Sequence, residues 1–130
     1  MEAVCGPLVG GAFVAHAVAA SLDLTFAWST WPSYALPPSF VPSLRGRRVA
    51  IVDDAVNAGS AVRSTATALT AAGATIAVVG TLLALNDAAA RVEATLGVPV
   101  EQLATLPTTL WPAAACPLCA TGAPLDRPPA

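Results

Sequence analysis

A run of apolar residues that ends on two adjacent acids is the feature that most limits how this chain can fold. Residues 49–52 read Val-Ala-Ile-Val, and the next two residues are Asp53 and Asp54. Four apolar residues in succession, without alternation, are typical of a parallel strand that is buried on both faces. Such a strand needs helices on both sides of its sheet, so the run predicts an α/β fold.

The residues after the two acids predict the rest of a strand–helix–strand unit. Small residues at 55–60 indicate a loop, a helix is expected over 61–72, and Gly73 suits the position just past the end of that helix. A second apolar strand is expected over 75–85. Because parallel strands joined by a helix form a right-handed crossover, both carboxyl ends should lie at the same edge of the sheet.

The remaining elements fit the same architecture. A strand is expected at residues 3–5, followed by a glycine-rich turn at 6–11 and a helix at 12–22. A further strand at 25–29 and a late helix at 88–96 extend the pattern. The sequence therefore predicts a single α/β domain with a mostly parallel sheet flanked by helices.

The C-terminal part of the chain has a different composition. Residues 105–130 contain six prolines and the pair Cys116 and Cys119. We expect an extension that packs on a core formed by residues 1–104, with residues 126–130 frayed. A Cys-x-x-Cys pair supplies only half of a structural zinc site. Metal binding, redox chemistry and a plain thiol pair therefore stay open, and the thiol pair is favoured.

The composition excludes some classes of partner. Only 11% of the residues are charged, the formal net charge is −2, and lysine is absent. The chain thus offers no strongly basic surface to nucleic acid, and an anion site must use arginine, backbone N–H groups or a metal ion. Residues 3–22 and 64–86 lack formal charge, but glycine or proline interrupts both, so we expect strands and helices rather than membrane spans. The first three residues lack the positive charge of a signal peptide, which predicts a cytoplasmic location.

The loop after the two acids has the composition of a phosphate-binding turn. Backbone N–H groups at residues 57–61 can surround a phosphate, and the dipole of the next helix favours its negative charge. Gly59 permits a tight turn, and Ser60 can cap the helix and donate its hydroxyl to the anion. Ionised Asp53 and Asp54 repel phosphate but accept hydrogen bonds from a neighbouring diol. These groups predict a ribose 5-phosphate site; the alternative is a strand end with a solvated acidic pair and an ordinary helix cap.

A second glycine-containing turn follows the first strand. Pro7, Leu8, Val9 and Gly10 lie between that strand and the next helix. A strand end, glycines and a helix N-terminus make another anion-binding arrangement, although an ordinary tight turn fits these residues equally well. The loop at 55–60 is not a Walker motif, because it has no lysine, and it lacks the G-x-G-x-x-G spacing of dinucleotide-binding loops.

Residues 49–60, Val-Ala-Ile-Val-Asp-Asp-Ala-Val-Asn-Ala-Gly-Ser, resemble the signature with which type I phosphoribosyltransferases bind phosphoribosyl pyrophosphate (PRPP). That signature consists of four apolar residues, two acids and a small-residue phosphate loop. The continuation with Ala61 and Arg63 is most similar to the orotate phosphoribosyltransferases. The resemblance extends over residues 5–85.

The resemblance implies a function for both loops. Enzymes of this family use Mg²⁺ and transfer the phosphoribosyl group of PRPP to a nitrogenous base, here orotate or a related pyrimidine, with release of pyrophosphate. It implies that Asp53 and Asp54 are catalytic residues that hold the ribose hydroxyls. It implies that the 5-phosphate is bound by Asn57, Ala58, Gly59, Ser60 and Ala61, and the pyrophosphate by Pro7, Leu8, Val9 and Gly10. It further implies that the metal is held through the substrate, and that the protein is a homodimer.

The loop that closes over the reacting centre in this family corresponds to residues 29–48. In the family it usually contributes lysine or arginine, whereas here it has Trp31 and Tyr34 but no lysine. Arg45 and Arg47 are candidate contacts for pyrophosphate, with a solvated turn as the alternative.

Two further positions bear on the activity. Arg63 is a candidate contact for the bound anion, because it lies in the first turn of the phosphate-loop helix. The alternative is that Arg63 has only a surface role. Orotate enzymes carry an arginine for the carboxylate of the base just after the next strand, but residues 82–86 read Leu-Leu-Ala-Leu-Asn. Two other interpretations therefore stay open. One is a non-catalytic PRPP- or nucleotide-binding module, regulatory or a subunit, and the other is a truncated reading frame of the enzyme.

Overall fold

The computed structural model describes residues 1–109 and 111–124, and its centre is a sheet of five parallel strands. These strands are β1 (Ala3–Pro7), β2 (Thr25–Ser29), β3 (Arg48–Val56), β4 (Thr75–Leu85) and β5 (Val100–Leu106). They lie side by side in the order β2-β1-β3-β4-β5. Every neighbouring pair is parallel, so the carboxyl ends of all five strands lie at one edge of the sheet.

Helices connect the strands and also occur in the loops. They are α1 (Gly10–Leu22), α2 (Val41–Leu44), α3 (Ser60–Ala71), α4 (Ala88–Leu96) and α5 (Pro117–Ala120), with 3-10 turns at Pro38–Phe40 and Ala113–Ala115. The bounds of β2, β4 and α4 agree with the sequence prediction, while α1 and α3 begin one or two residues earlier than predicted. The prediction of a parallel sheet flanked by helices is confirmed.

The apolar run of β3 is buried on both faces of the sheet, as its lack of alternation predicted. Val49 and Ile51 pack with Leu69 of α3 on one face, whereas Ala50 and Val52 belong to the cluster beneath α1 on the other. Burial of a side chain the size of Ile51 or Leu69 contributes about 1.5–3 kcal/mol. This packing holds the apolar part of β3 in place, and with it Asp53 and Asp54, which lie further along the same strand.

Small residues bring α1 very close to the sheet. The buried face of α1 consists of Gly11, Ala12, Ala15 and Ala19. A Cβ atom on Gly6, in β1, would lie only 2.7 Å from the Cα atom of Ala12 and from the Cβ atom of Ala15. Because α1 begins three residues after β1 ends, this close packing fixes its N-terminus at the carboxyl edge of the sheet.

The sequence analysis did not predict β5. Residues 100–106 read Val-Glu-Gln-Leu-Ala-Thr-Leu, and all but the first are exposed. β5 is an edge strand, and an edge strand does not need the apolar run that a central strand needs. The predicted boundary between residues 104 and 105 falls inside β5, and the division into core and extension stays a prediction. The expected fraying of residues 126–130 lies outside the described residues.

The two uncharged stretches of the sequence form strands and helices of this fold. Residues 3–22 contain β1 and α1, and residues 64–86 contain most of α3 and all of β4. Across residues 1–109 and 111–124, the structure has no helix of the length and apolar character needed to cross a membrane.

Candidate functional site

Two loops meet at the carboxyl edge of the sheet, and we call them the first loop (residues 7–11) and the second loop (residues 53–61). Each loop begins in the last residues of a strand, β1 for the first loop and β3 for the second, and these two strands are neighbours in the sheet. A first cavity of about 190 Å³ lies between the loops, and a second cavity of about 290 Å³ lies within the second loop. Asp53, Ala55 and Ala61 line both cavities. The structure thus brings together the two turns that the sequence singled out separately.

The glycines of the first loop lie directly against the two acids. A Cβ atom on Gly10 would collide with the carboxylate of Asp54, and one on Gly11 would collide with Oδ1 of Asp53. The backbone N–H of Leu8 donates a 2.9 Å hydrogen bond to the carbonyl of Ser29, which ties this loop to the end of β2. Glycine is therefore needed at both positions for the loop to approach the acids.

The two acids lie in different environments. Asp53 is only 6% exposed, whereas Asp54 is exposed. The backbone N–H of Asp54 donates a 3.0 Å hydrogen bond to Oδ1 of Asp53. Burial raises the pKa of Asp53 to about 7, and the hydrogen bond with the Asp54 side chain and its negative charge act in the same direction. Near neutral pH this carboxyl can therefore hold a proton or, once ionised, accept hydrogen bonds from two hydroxyl groups.

The second loop turns at Gly59, which has a φ of +74° and precedes the first residue of α3. A Cβ atom there would also lie 2.6 Å from Cγ2 of Val92. The first N–H groups of an α-helix have no partner within the helix, so those of α3 are free to bind an anion. The second cavity is lined by this turn, including Asn57 and Ser60.

Two arginines hold the carbonyl groups of the second loop. Arg63 donates from Nη1 to the carbonyl of Ala58 at 2.7 Å, and Arg91 donates from Nη2 to the carbonyl of Asn57 at 3.0 Å. Arg91 is also paired with Asp87, the residue just before α4. Arg63 thus contacts the loop itself. The sequence analysis missed Arg91, because its partner lies in a different element and no local pattern connects the two.

The side chain of Asn57 has an unused acceptor. Its Oδ1 atom is buried and has no hydrogen-bond partner among the described residues. Buried acceptors normally have a donor, because an unpaired one costs free energy. A donor from a ligand or from a bound water would satisfy this atom, which fits the prediction that Asn57 belongs to a binding loop.

The structure does not bring Arg45 and Arg47 to this edge. Arg47 precedes β3 and donates from Nη1 to Oγ1 of Thr25, at the start of β2, over 2.7 Å. Arg45 lies beside Gly73, just before β4 begins. Both arginines are at the amino edge of the sheet, opposite the two loops. Their predicted contact with pyrophosphate is therefore corrected to the alternative, a polar turn at the far edge.

Tyr34 lines the first cavity, together with the first loop and the two acids. It lies in a turn just after β2, in which the backbone N–H and Oγ1 of Thr30 both donate to the carbonyl of Ala35, at 2.9 and 3.0 Å. The sequence analysis assigned Tyr34 no role. Its position depends on how this turn folds toward the first loop, which cannot be deduced from the spacing of residues.

None of the three cysteines, Cys5, Cys116 and Cys119, lines either cavity. Cys5 is inside β1, and burial raises its pKa to about 12. Two hydrogen bonds from Cys119 lower the pKa of Cys116. The one from the backbone N–H has the larger effect, and the one from the side chain has the smaller. Within the described part of the chain, no group of three or more His, Cys, Asp or Glu side chains could hold a metal ion. The role of the Cys-x-x-Cys pair stays open.

Relatives match the chain over nearly its whole length, although no family model matches it. It is 30% identical over 130 residues to the orotate phosphoribosyltransferase of Caldanaerobacter subterraneus subsp. tengcongensis, covering 98% of this chain and 66% of that protein. It is also 30% identical over 135 residues to the orotate phosphoribosyltransferase of Thermotoga maritima, covering 98% and 67%. The chain thus spans about two thirds of the length of these curated relatives.

Solved structures share the fold. An adenine phosphoribosyltransferase from Thermoanaerobacter pseudethanolicus has a TM-score of 0.68 at 19% identity, covering 81% of this chain and 70% of that chain. An orotate phosphoribosyltransferase from Aeropyrum pernix has a TM-score of 0.66 at 24% identity, covering 81% and 60%. These two structures confirm the fold that the sequence predicted.

Proposed function

This chain belongs to the type I phosphoribosyltransferases, a family of pentosyltransferases, and we propose that it transfers the phosphoribosyl group of PRPP to a nitrogenous base. The observation that carries the proposal is the contact of Gly10 and Gly11 with the carboxylates of Asp54 and Asp53. It joins two anion-binding turns to one pair of hydrogen-bond acceptors. PRPP carries a diol between a phosphate and a pyrophosphate, so its groups match this arrangement.

Each part of PRPP has a partner of suitable chemistry. Ionised Asp53 and Asp54 would accept hydrogen bonds from the ribose hydroxyls. The second loop, from Asn57 to Ala61, would bind the 5-phosphate through N–H groups at the start of α3. The first loop would bind the pyrophosphate through its backbone N–H groups, with Gly10 allowing close approach.

Magnesium fits the chemistry of the site. Mg²⁺ prefers hard oxygen ligands and is commonly bound through one or two carboxylates together with substrate phosphates. Asp53 and Asp54 supply carboxylate oxygens beside the first cavity, and PRPP would supply hydroxyl and pyrophosphate oxygens. We propose that PRPP would supply most of the oxygen ligands of Mg²⁺. The ion, when bound, would offset the negative charge of the leaving pyrophosphate.

The proposed reaction breaks the bond between ribose C1 and pyrophosphate and forms a bond from C1 to a nitrogen of the base. Positive charge develops on the ribose ring in a transition state that resembles an oxocarbenium ion. The chain's contribution is to fix both ends of PRPP and to stabilise the departing pyrophosphate by hydrogen bonds in a site that is already organised. Asp53 and Asp54 hold the ring by its hydroxyls while this happens.

Orotate or a related pyrimidine is the base that we propose. The support is that the relatives at 30% identity are named orotate phosphoribosyltransferases. The residue after β4 limits this support, because Asn86 stands where orotate enzymes carry their arginine. The Nδ2 atom of Asn86 donates to Oγ1 of Thr108, and its Oδ1 atom accepts from the backbone N–H of Thr108. Adenine therefore belongs in the same test, as do uracil and hypoxanthine.

A pyrophosphate-release assay with PRPP, Mg²⁺ and each base in turn tests the proposal. We expect release that depends on one base and that is lost in the Asp53→Asn/Asp54→Asn variant. The far-ultraviolet circular dichroism of the variant serves as the control for folding. If the folded wild-type protein binds PRPP but releases no pyrophosphate with any base, the transferase proposal is wrong.

A non-catalytic PRPP-binding module is the second candidate. It is favoured by one observation: of the arginines within residues 1–109 and 111–124, none lines either cavity. The family's closing loop usually contributes such a cation to the reacting centre, and this chain has no lysine. Binding of PRPP in calorimetry, together with no release of pyrophosphate in the assay, would support the module.

The homodimer and the cytoplasmic location stay predictions, and light scattering would test the homodimer.

A further inference from the structure

The first cavity has few groups that could neutralise a pyrophosphate. Two acids face it, Asp53 and Asp54, and they would repel the negative charge. Arg63 and Arg91 are engaged with carbonyl groups of the second loop. Among the described side chains that line this cavity, Tyr34 carries the one polar group that is not a carboxyl.

The backbone presents Tyr34 to the first loop in a defined way. Tyr34 has a φ of +54°, in the left-handed region that bulky residues seldom adopt. The turn that contains it is closed by the hydrogen bonds of Thr30 to Ala35. The same turn begins at Ser29, whose carbonyl accepts from the N–H of Leu8 in the first loop. Tyr34 and the first loop are therefore joined through one short stretch of chain.

The hydroxyl of Tyr34 is available for a ligand. It makes no hydrogen bond to any of the described residues. A phenolic O–H is a neutral donor, and hydrogen bonds to a charged acceptor are stronger than those to a neutral one. Residues held in unusual backbone conformations also cluster at ligand sites.

We propose that Tyr34 is a substrate-binding residue that donates its O–H to the pyrophosphate of PRPP. This inference rests on the proposed function, because it assumes that the first loop binds pyrophosphate. It goes further by assigning a specific side-chain donor, the hydroxyl of Tyr34, to the pyrophosphate. Tyr34 lies in the loop of residues 29–48, which has no lysine in this chain. The contact is specific to pyrophosphate, since the second cavity, where the 5-phosphate would lie, is not lined by Tyr34.

Calorimetry with three ligands tests the proposal: PRPP with Mg²⁺, inorganic pyrophosphate with Mg²⁺, and ribose 5-phosphate. The variant is Tyr34→Phe, which keeps the ring and removes the hydroxyl. The matched control is Trp31→Phe, since Trp31 lies in the same turn but is 72% exposed and does not line the cavity. Tyr34→Gly is a second variant, which removes the whole side chain and suits the positive φ.

We expect Tyr34→Phe to weaken PRPP and pyrophosphate by about tenfold, in line with loss of a hydrogen bond to a charged group, and to leave ribose 5-phosphate unchanged. Trp31→Phe should leave all three affinities unchanged, and Tyr34→Gly should weaken pyrophosphate at least as much as Tyr34→Phe. Equal losses for pyrophosphate and ribose 5-phosphate, or no loss with Tyr34→Phe, would overturn the assignment while leaving the proposed function standing. Failure of the wild-type protein to bind any of the three ligands would overturn both.

Discussion

We predict that replacement of Asp53 by asparagine stabilises the protein at alkaline pH. The same replacement removes the carboxylate that we assign to the ribose hydroxyls. Asp53 is buried beside Asp54, and this environment raises its pKa from 3.8 to about 7. In the unfolded chain the carboxyl ionises at its ordinary pKa. Between these two values the folded state therefore holds a proton that the unfolded state has lost, and stability falls as the pH rises.

The magnitude follows from the two pKa values. Each pKa difference of one corresponds to about 1.4 kcal/mol, so this carboxyl lowers the free energy of unfolding by roughly 4 kcal/mol between pH 4 and pH 7. Above pH 7 the loss is complete. The asparagine of the variant would be neutral throughout, and its amide oxygen could still accept the N–H of Asp54 that now bonds to Oδ1.

Urea unfolding of the wild-type protein and of Asp53→Asn, repeated from pH 4.5 to pH 8, measures this contribution. We expect the variant to be more stable by only about 1 kcal/mol at pH 4.5 and by up to about 4 kcal/mol at pH 8. Asp23→Asn is the matched control, because Asp23 is exposed at the end of α1 and asparagine tolerates its left-handed backbone. An Asp53→Asn variant that loses stability at pH 8, or that keeps the wild-type decline with pH, would refute the reasoning.

Three other predictions concern the loops. Gly10→Ala should collide with Asp54, cost about 1–3 kcal/mol in urea unfolding and abolish PRPP binding in calorimetry; wild-type affinity would show that the loop can move aside. Arg91→Met should weaken ribose 5-phosphate roughly fivefold in calorimetry, because the Asn57 carbonyl loses its donor, whereas Asp87→Asn should have a smaller effect. PRPP with Mg²⁺ at about 100 times its dissociation constant should raise the free energy of unfolding by about 2.7 kcal/mol, and an unchanged thermal midpoint would contradict binding to the folded state.

The sequence contained most of the information about the fold near the site. The apolar run before Asp53 predicted a strand buried on both faces, and Gly73 predicted the end of α3 to within one residue. These signals are local, because burial and helix termination each constrain a few consecutive residues. β5 gave no such signal, since an edge strand is free to carry Glu101 and Gln102.

The contacts between distant elements could not be read from the sequence in the same way. Arg91 and Tyr34 reach the two loops from α4 and from the turn after β2, and no spacing rule connects them to the acids. The prediction that Arg45 and Arg47 contact pyrophosphate was wrong for a different reason. Both arginines come just before β3, and residues before a parallel strand lie at the edge opposite its carboxyl end, so topology alone excludes them from the site.

The most direct test of the central claim is calorimetric titration of PRPP with Mg²⁺ into the wild-type protein and into the Asp53→Asn/Asp54→Asn variant. If the pair of acids at the end of β3 holds the ribose hydroxyls, the wild-type protein binds PRPP. The folded variant then binds about 100-fold more weakly, as expected when two acceptors lose their charge. Equal affinity in the two proteins, with both shown to be folded, would contradict the assignment of this site.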